Sequence, residues 1–230
     1  MKQWTVRYSL WGAVVILHLA AYLSLAMLVS SRGPLPMDRV VRDFFQGSQD
    51  VALGWMIREW AIFGDWRILT VVLLLLGLFV FREMGKEFLL FFLFALGGGG
   101  ALGQLSKVVV GRLRPGDPRF GFPSGHTLAA LVTVSGLLYF AHRGGLVRRP
   151  VARASSAVGG VLIVLGVGVS RVYTDNHWLT DVFGGILLGI AMAVGVALAL
   201  EVWSAEKDRE AVRRESSAVN HDFSTLDHEP

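Results

Sequence analysis

Six long apolar runs decide most of what this chain can become. They fall near residues 9–30, 66–82, 87–108, 126–142, 155–173 and 179–203. A helix needs about 20 apolar residues to cross the hydrocarbon core of a bilayer. The expected fold is therefore all-α, a six-transmembrane helix bundle, although the second and fourth runs are short for a full span. The charged fraction, 17%, agrees, since soluble domains hold roughly 25%. The first run exceeds the roughly 7–15 residues of a signal-peptide core, and no small-residue cleavage site follows it, so it reads as an uncleaved span.

Between the first two runs lies a stretch of another character, "MDRVVRDFFQGSQDVALGWMIREWAIFGDW". It mixes charges with Phe44, Phe45, Trp55, Trp60 and Trp66, which predicts short amphipathic helices at the interface. A cover that packs on the bundle is the preferred reading, ahead of a gate for lipid access. The expected domain organisation is one bundle over residues 1–203 and a polar tail over 204–230. That tail is expected to prolong the last helix briefly and then lose structure. The run "GGGG" at 97–100 and the Gly185-x-x-x-Gly189 spacing permit close helix approach, within one bundle or between copies; the oligomeric state stays open.

The charge is divided along the chain. Residues 1–200 hold 18 Lys and Arg against 10 Asp and Glu, and residues 201–230 hold 4 against 8. A basic surplus in the membrane part suits an anionic lipid better than nucleic acid, for which no motif is present. With no cysteine, disulfides, thiolate nucleophiles and Cys-bound zinc are excluded. Six crossings put the 31–65, 109–125 and 171–178 segments on one side, with 9 Lys and Arg, counting Lys107 at the adjoining span end, against 12 on the other. Arg143, Arg148, Arg149 and Arg153 share one short loop of the richer side. The positive-inside rule then expects both termini in the cytoplasm and the polar loops outside, in a plasma (inner) membrane protein.

Three clusters sit at span ends on that outer side. In "KVVVGRLRP", Lys107 and Arg114 are seven residues apart and share a face if the helix continues; Pro115 is expected to end it. In "GFPSGHTLAA", Ser124 is a candidate N-cap, and Gly125 lets backbone approach a ligand closely. His126 lies in the first turn, where free N–H groups and the dipole form an anion site. In "SRVYTDNHWLTDVFGG", His177 and Asp181 are four apart, on one helix face, so the carboxylate can hold the ring. Arg171 precedes them. Cations, a helix N-terminus, one oriented histidine and a second histidine match the needs of metal-free phosphoryl transfer. No carboxylate cluster suits magnesium, and no short-spaced histidine pair suits zinc.

Lys107-x6-Arg114-Pro115, Pro123-Ser124-Gly125-His126 and Ser170-Arg171-x5-His177-x3-Asp181 resemble the three signature motifs of the type 2 phosphatidic acid phosphatase family. The resemblance implies a site at the extracytoplasmic surface, with His177 as nucleophile, Asp181 as its orienting partner and His126 as general acid. Lys107, Arg114, Ser124, Gly125 and Arg171 would bind phosphate. It further implies no cofactor and no metal, and a phosphorylated lipid as partner: phosphatidate, phosphatidylglycerol phosphate or a polyprenyl diphosphate. The alternatives are a vanadate-dependent haloperoxidase-like enzyme, whose known relatives are soluble and larger, and a non-catalytic lipid-binding or transport protein. Asp175 is less usual in its position and reads as a solvated or capping carboxylate. Asp117 and Arg119 stay unassigned. Arg112 reads as solvated, and His18 as a packed, hydrogen-bonded residue of the first span.

Overall fold

The computed structural model describes residues 2–47 and 51–226. Among them nine α-helices follow one another: α1 (Lys2–Arg32), α2 (Pro36–Gly47), α3 (Val51–Glu59), α4 (Trp66–Phe79), α5 (Gly85–Phe92), α6 (Gly99–Val110), α7 (Gly125–Arg143), α8 (Pro150–Tyr173) and α9 (Leu179–Leu226). A 3₁₀ turn, Trp60–Gly64, leads into α4, and a π-helical turn, Leu93–Gly98, joins α5 to α6. The all-helical expectation holds among the described residues.

Four helical stretches are long and apolar enough to cross a membrane: Tyr8–Arg32, Arg82–Val110, Pro150–Tyr173 and Leu179–Ala211. A fifth appears if Gly54–Gly64 and Trp66–Phe79, bent by 54°, act together. These make the chain an integral membrane protein. The two segments that separate this count from six are the ones already short in sequence. α4 has 14 residues, roughly 21 Å at the helical rise, short of the ~30 Å hydrocarbon core. α7 has 19 residues and carries polar side chains at both ends.

α7 is the hub. Residues Thr127 to Thr133 are buried without interruption, followed by Gly136 and Phe140; a helix covered all round belongs at the centre of its bundle. Phe81, Phe88 and Phe91 gather on Phe140, with the Phe88 and Phe140 rings 5.1 Å apart, and Phe92 packs on Phe88 and Phe91. At the other end α9 crosses closely at Gly185, where a Cβ would lie 2.6 Å from the Ser124 carbonyl oxygen. One turn on, a Cβ at Gly189 would lie 3.0 Å from Leu131. The Gly185-x-x-x-Gly189 pair therefore serves packing inside this bundle. α9 itself runs to Leu226, further than the brief continuation expected. Its polar part, "SAEKDREAVRRESSAV", is rich in strong helix formers.

α2 places charge on its inner face and apolar side chains on part of its outer one. Met37, Val40 and Phe44 are exposed, while Asp38 and Arg42 reach into the bundle. Asp38, fully buried, accepts from the Thr180 backbone N–H at 2.8 Å and from the Thr180 hydroxyl. Arg112 lies between this carboxylate and Asp181, donating to Asp38 Oδ2 at 2.6 Å, to Asp181 Oδ1 at 2.9 Å and to Thr180 Oγ1 at 2.6 Å. Asp181 also accepts from the Trp178 N–H at 3.1 Å, the backward half of a capping box at the start of α9. One guanidinium and two carboxylates thus fix α2, the loop after α6 and the N-terminus of α9 together. Arg112 is buried here, which corrects its reading as a solvated residue.

Removing one member of a buried charge cluster strands the others, at a cost of about 3–5 kcal/mol. Arg112→Met is therefore expected to lower the thermal unfolding midpoint of the detergent-purified protein clearly. An unchanged midpoint would show that the cluster does not hold the fold.

Candidate active site

α6 ends because Gly111 takes a left-handed conformation, φ 64°, and its N–H bonds to the Lys107 carbonyl at 3.1 Å. The helix thus stops before Pro115, which corrects the shared-face expectation for Lys107 and Arg114. A loop brings Arg114 back instead. It is pinned by Gly121 N–H donating to the Arg112 carbonyl at 2.7 Å and Arg114 N–H to the Arg119 carbonyl at 3.0 Å. Lys107 meanwhile reaches toward the start of α7, where a Cβ on Gly125 would lie 3.8 Å from its Nζ.

Ser124 is the N-cap of α7 as expected. Its Oγ accepts from the Thr127 N–H at 3.5 Å and from the Thr127 hydroxyl at 3.0 Å, and it is fully buried. Gly125 and His126 follow in the first helical turn, whose N–H groups have no carbonyl partner one turn back. The close crossing of the preceding 3₁₀ turn helps to hold this corner: a Cβ on Gly64 would collide with the His126 carbonyl.

α8 delivers Arg171 in its last turn, with its Nε buried and unpartnered. The chain then turns tightly, and the Asn176 and His177 N–H groups both donate to the Arg171 carbonyl at 3.1 Å. His177 Nδ1 lies 3.3 Å from Asp181 Oδ2. The pair forms across the N-terminus of α9, since His177 precedes the helix, and not on one helix face as the spacing implied. Burial pushes the His177 imidazole below its ordinary value, against the opposing hydrogen bond and charge of Asp181. A neutral ring donating Nδ1–H to the carboxylate leaves the Nε2 lone pair free.

These residues meet on one cavity of about 470 Å³. Lys107, Arg114, Gly125, His126, Arg171 and His177 line it, together with Arg119, Gln104 and Asn176. Ser124 and Asp181 stand outside the lining, behind Gly125 and His177. Among the described residues no carboxylate lines the cavity, and four cations do. Arg119 is engaged with Asp117 at 2.6 Å, and Arg114 makes a looser pair with Asp117 at 3.5 Å. Lys107 and Arg171 have no ion-pair partner among the described residues. Nor do any three His, Asp or Glu residues there group as a metal site would require.

Sequence reasoning missed Asp38 and misassigned Asp175. Asp38 carries no motif and is 143 positions from Asp181, so only the fold reveals it. Asp175 takes a left-handed conformation, φ 57°, and forms a two-pronged pair with Arg42 at 2.7 and 2.8 Å. It is a strut between α2 and the turn before α9 rather than a solvated or capping carboxylate. His18 is as expected, its Nδ1 donating to the Val14 carbonyl at 2.8 Å.

Comparisons with known proteins bear on the family and the fold. Phosphatidylglycerophosphatase B of Bacillus subtilis is 30% identical over 128 residues, covering 53% of this chain and 62% of that protein. Lipid A 1-phosphatase of Porphyromonas gingivalis is 33% identical over 92 residues, covering 40% of this chain and 19% of that protein. The matches thus span less than two thirds of either relative. Among solved structures, a transmembrane PAP2-type phosphatidylglycerolphosphate phosphatase from Bacillus subtilis shares the fold with a TM-score of 0.73 at 23% identity, over 81% of this chain and 96% of that one. LpxE of Aquifex aeolicus gives 0.51 at 20% identity, over 69% and 93%. Residues 88–204, which contain all three motifs, match the family model of the PAP2 superfamily, and the chain belongs to that superfamily.

Proposed function

We propose that this protein is a lipid phosphatase or diphosphatase of the membrane, working through a phosphohistidine and without a metal. The observation that carries the reading is a cavity with four cations, no carboxylate and two histidines on its wall. Such a site fits a phosphate dianion, and little else would offset the repulsion of its own cations.

Lys107, Arg114 and Arg171 neutralise the phosphoryl oxygens, and the N–H groups at the start of α7 add hydrogen bonds. Ser124 contributes by capping that helix. His177 Nε2 attacks phosphorus, forming the P–N bond as the P–O bond to the lipid breaks. His126 protonates the leaving oxygen. It then takes a proton from water as that water attacks the phosphohistidine, which releases inorganic phosphate and restores the free imidazole. Asp181, held by Arg112, keeps Nδ1 protonated and balances the charge that forms on the ring.

The substrate class is a phosphatidylglycerol phosphate, a phosphatidate or a polyprenyl diphosphate. The two curated relatives bear the names of phosphatases of glycerophospholipid and lipid A phosphates, which supports a phosphorylated lipid headgroup. The full bundle is proposed to have six spans, with α4 and α7 as its short members, and residues 204–230 as a separate cytoplasmic tail. The exposed apolar face of α2 supports its lying in the membrane interface. The site then faces outward and both termini face the cytoplasm.

Purified protein is expected to release phosphate from at least one of the three lipids and to keep doing so in EDTA. His177→Ala is expected to lose about a thousandfold or more. Activity abolished by EDTA, or retained by His177→Ala, contradicts the mechanism. For the orientation, a topology reporter fused after Pro230 is expected to read cytoplasmic; an extracytoplasmic signal reverses it.

A further inference from the structure

His177 is not carried by a helix. It sits in the link over residues 174–178 that joins α8 to α9, so the place of its ring depends on how that link is held. Asp175, two residues earlier, is the one non-glycine with a positive φ among the described residues, 57°. A side chain makes that region unfavourable, Asp less so than most, and it persists where surrounding contacts impose it.

Two contacts impose it here. The Asp175 carbonyl accepts from the Gly116 N–H at 3.0 Å, an approach so close that a Cβ on Gly116 would lie 2.7 Å from that oxygen. The Asp175 carboxylate is gripped by Arg42, Nε on one oxygen at 2.7 Å and Nη2 on the other at 2.8 Å. Arg42 also reaches the far side of the nucleophile. Its guanidinium carbon lies 5.6 Å from the ring centroid of Trp178. That indole is itself placed by Nε1–H donating to the Leu113 carbonyl at 2.9 Å and by Arg112 at 5.7 Å. One side chain of α2 thus touches both residues that bracket Asn176 and His177, while standing outside the lining of the cavity.

We propose that Arg42 is a positioning residue for the nucleophile, holding the link through Asp175 and Trp178 where His177 Nε2 can reach phosphorus. The proposal rests on the reading of His177 as nucleophile. The Arg42 and Asp175 side chains are 35% and 23% exposed, and an ion pair so open to water adds little to overall stability. What it supplies is local geometry, because a nucleophile displaced by about 1 Å loses rate steeply. Binding is spared, since Lys107, Arg114 and Arg171 hold the phosphate without Arg42.

The test compares purified wild type, Arg42→Gln, Arg42→Lys, Asp175→Asn and the double variant Arg42→Gln/Asp175→Asn. Each is assayed in detergent on phosphatidylglycerol phosphate, phosphatidate and a polyprenyl diphosphate, with its thermal midpoint. Arg42→Gln is expected to lose about tenfold or more in kcat, with KM and midpoint close to wild type. Arg42→Lys should recover part of that loss, and the double variant should fall no further than Arg42→Gln, as side chains sharing one contact require. Wild-type kcat in Arg42→Gln, a loss confined to KM, or losses that multiply in the double variant overturns the proposal. So does a kcat loss that tracks a fallen midpoint across the series, which is what a strut serving only the fold would give. Should Arg42→Gln not fold, Arg42→Lys and Asp175→Asn carry the same comparison. Any of these results beside an inactive His177→Ala overturns this proposal alone; an active His177→Ala overturns the nucleophile reading and this proposal together.

Discussion

The Arg112 guanidinium, held between Asp38 and Asp181, is the interaction on which the rest of the structure depends. It ties three segments that are distant in sequence to one point at the N-terminus of α9. Two carboxylates around one cation would carry a net negative charge into a buried place. The helix N-terminus compensates it, since the N–H groups of Trp178 and Thr180 donate to the other oxygen of each carboxylate. The consequence for the site is direct. Asp181 is fixed before any substrate arrives, and through Asp181 so is the ring of His177.

Cations in this protein separate by their partners. Arg112 and Arg42 are matched by Asp38, Asp181 and Asp175, and they hold elements together. Lys107 and Arg171 face the cavity with no carboxylate of their own, so their charge is available to a ligand. Placing them beside the open N-terminus of α7 concentrates positive potential where a phosphoryl group would gain the most from it.

Much of this was legible in the sequence because the informative residues sit at the ends of apolar runs. Lys107, Arg114, His126, Arg171 and His177 do share one cavity. Two inferences reached the right residues by the wrong geometry. Lys107 and Arg114 meet through a loop, because Gly111 ends α6 four residues before Pro115. His177 and Asp181 meet across the start of α9, because the helix begins only at Leu179. Asp38 and the role of Arg112 were not legible, since a contact between α2 and α9 leaves no periodic signature in either. The same holds for Asp175, whose partner Arg42 lies 133 residues away. The two shortest runs were also where length and composition alone stopped supporting a span.

The central claim is that His177, held by Asp181, carries the phosphoryl group during turnover. The most direct measurement is a trap: the protein is mixed with a lipid substrate labelled in its phosphate, quenched in denaturing alkali within a turnover, digested and sequenced by mass spectrometry. The account predicts an acid-labile, alkali-stable label on His177 that is absent in His177→Asn. A label on another residue, or steady phosphate release with no label under any of these conditions, would contradict it.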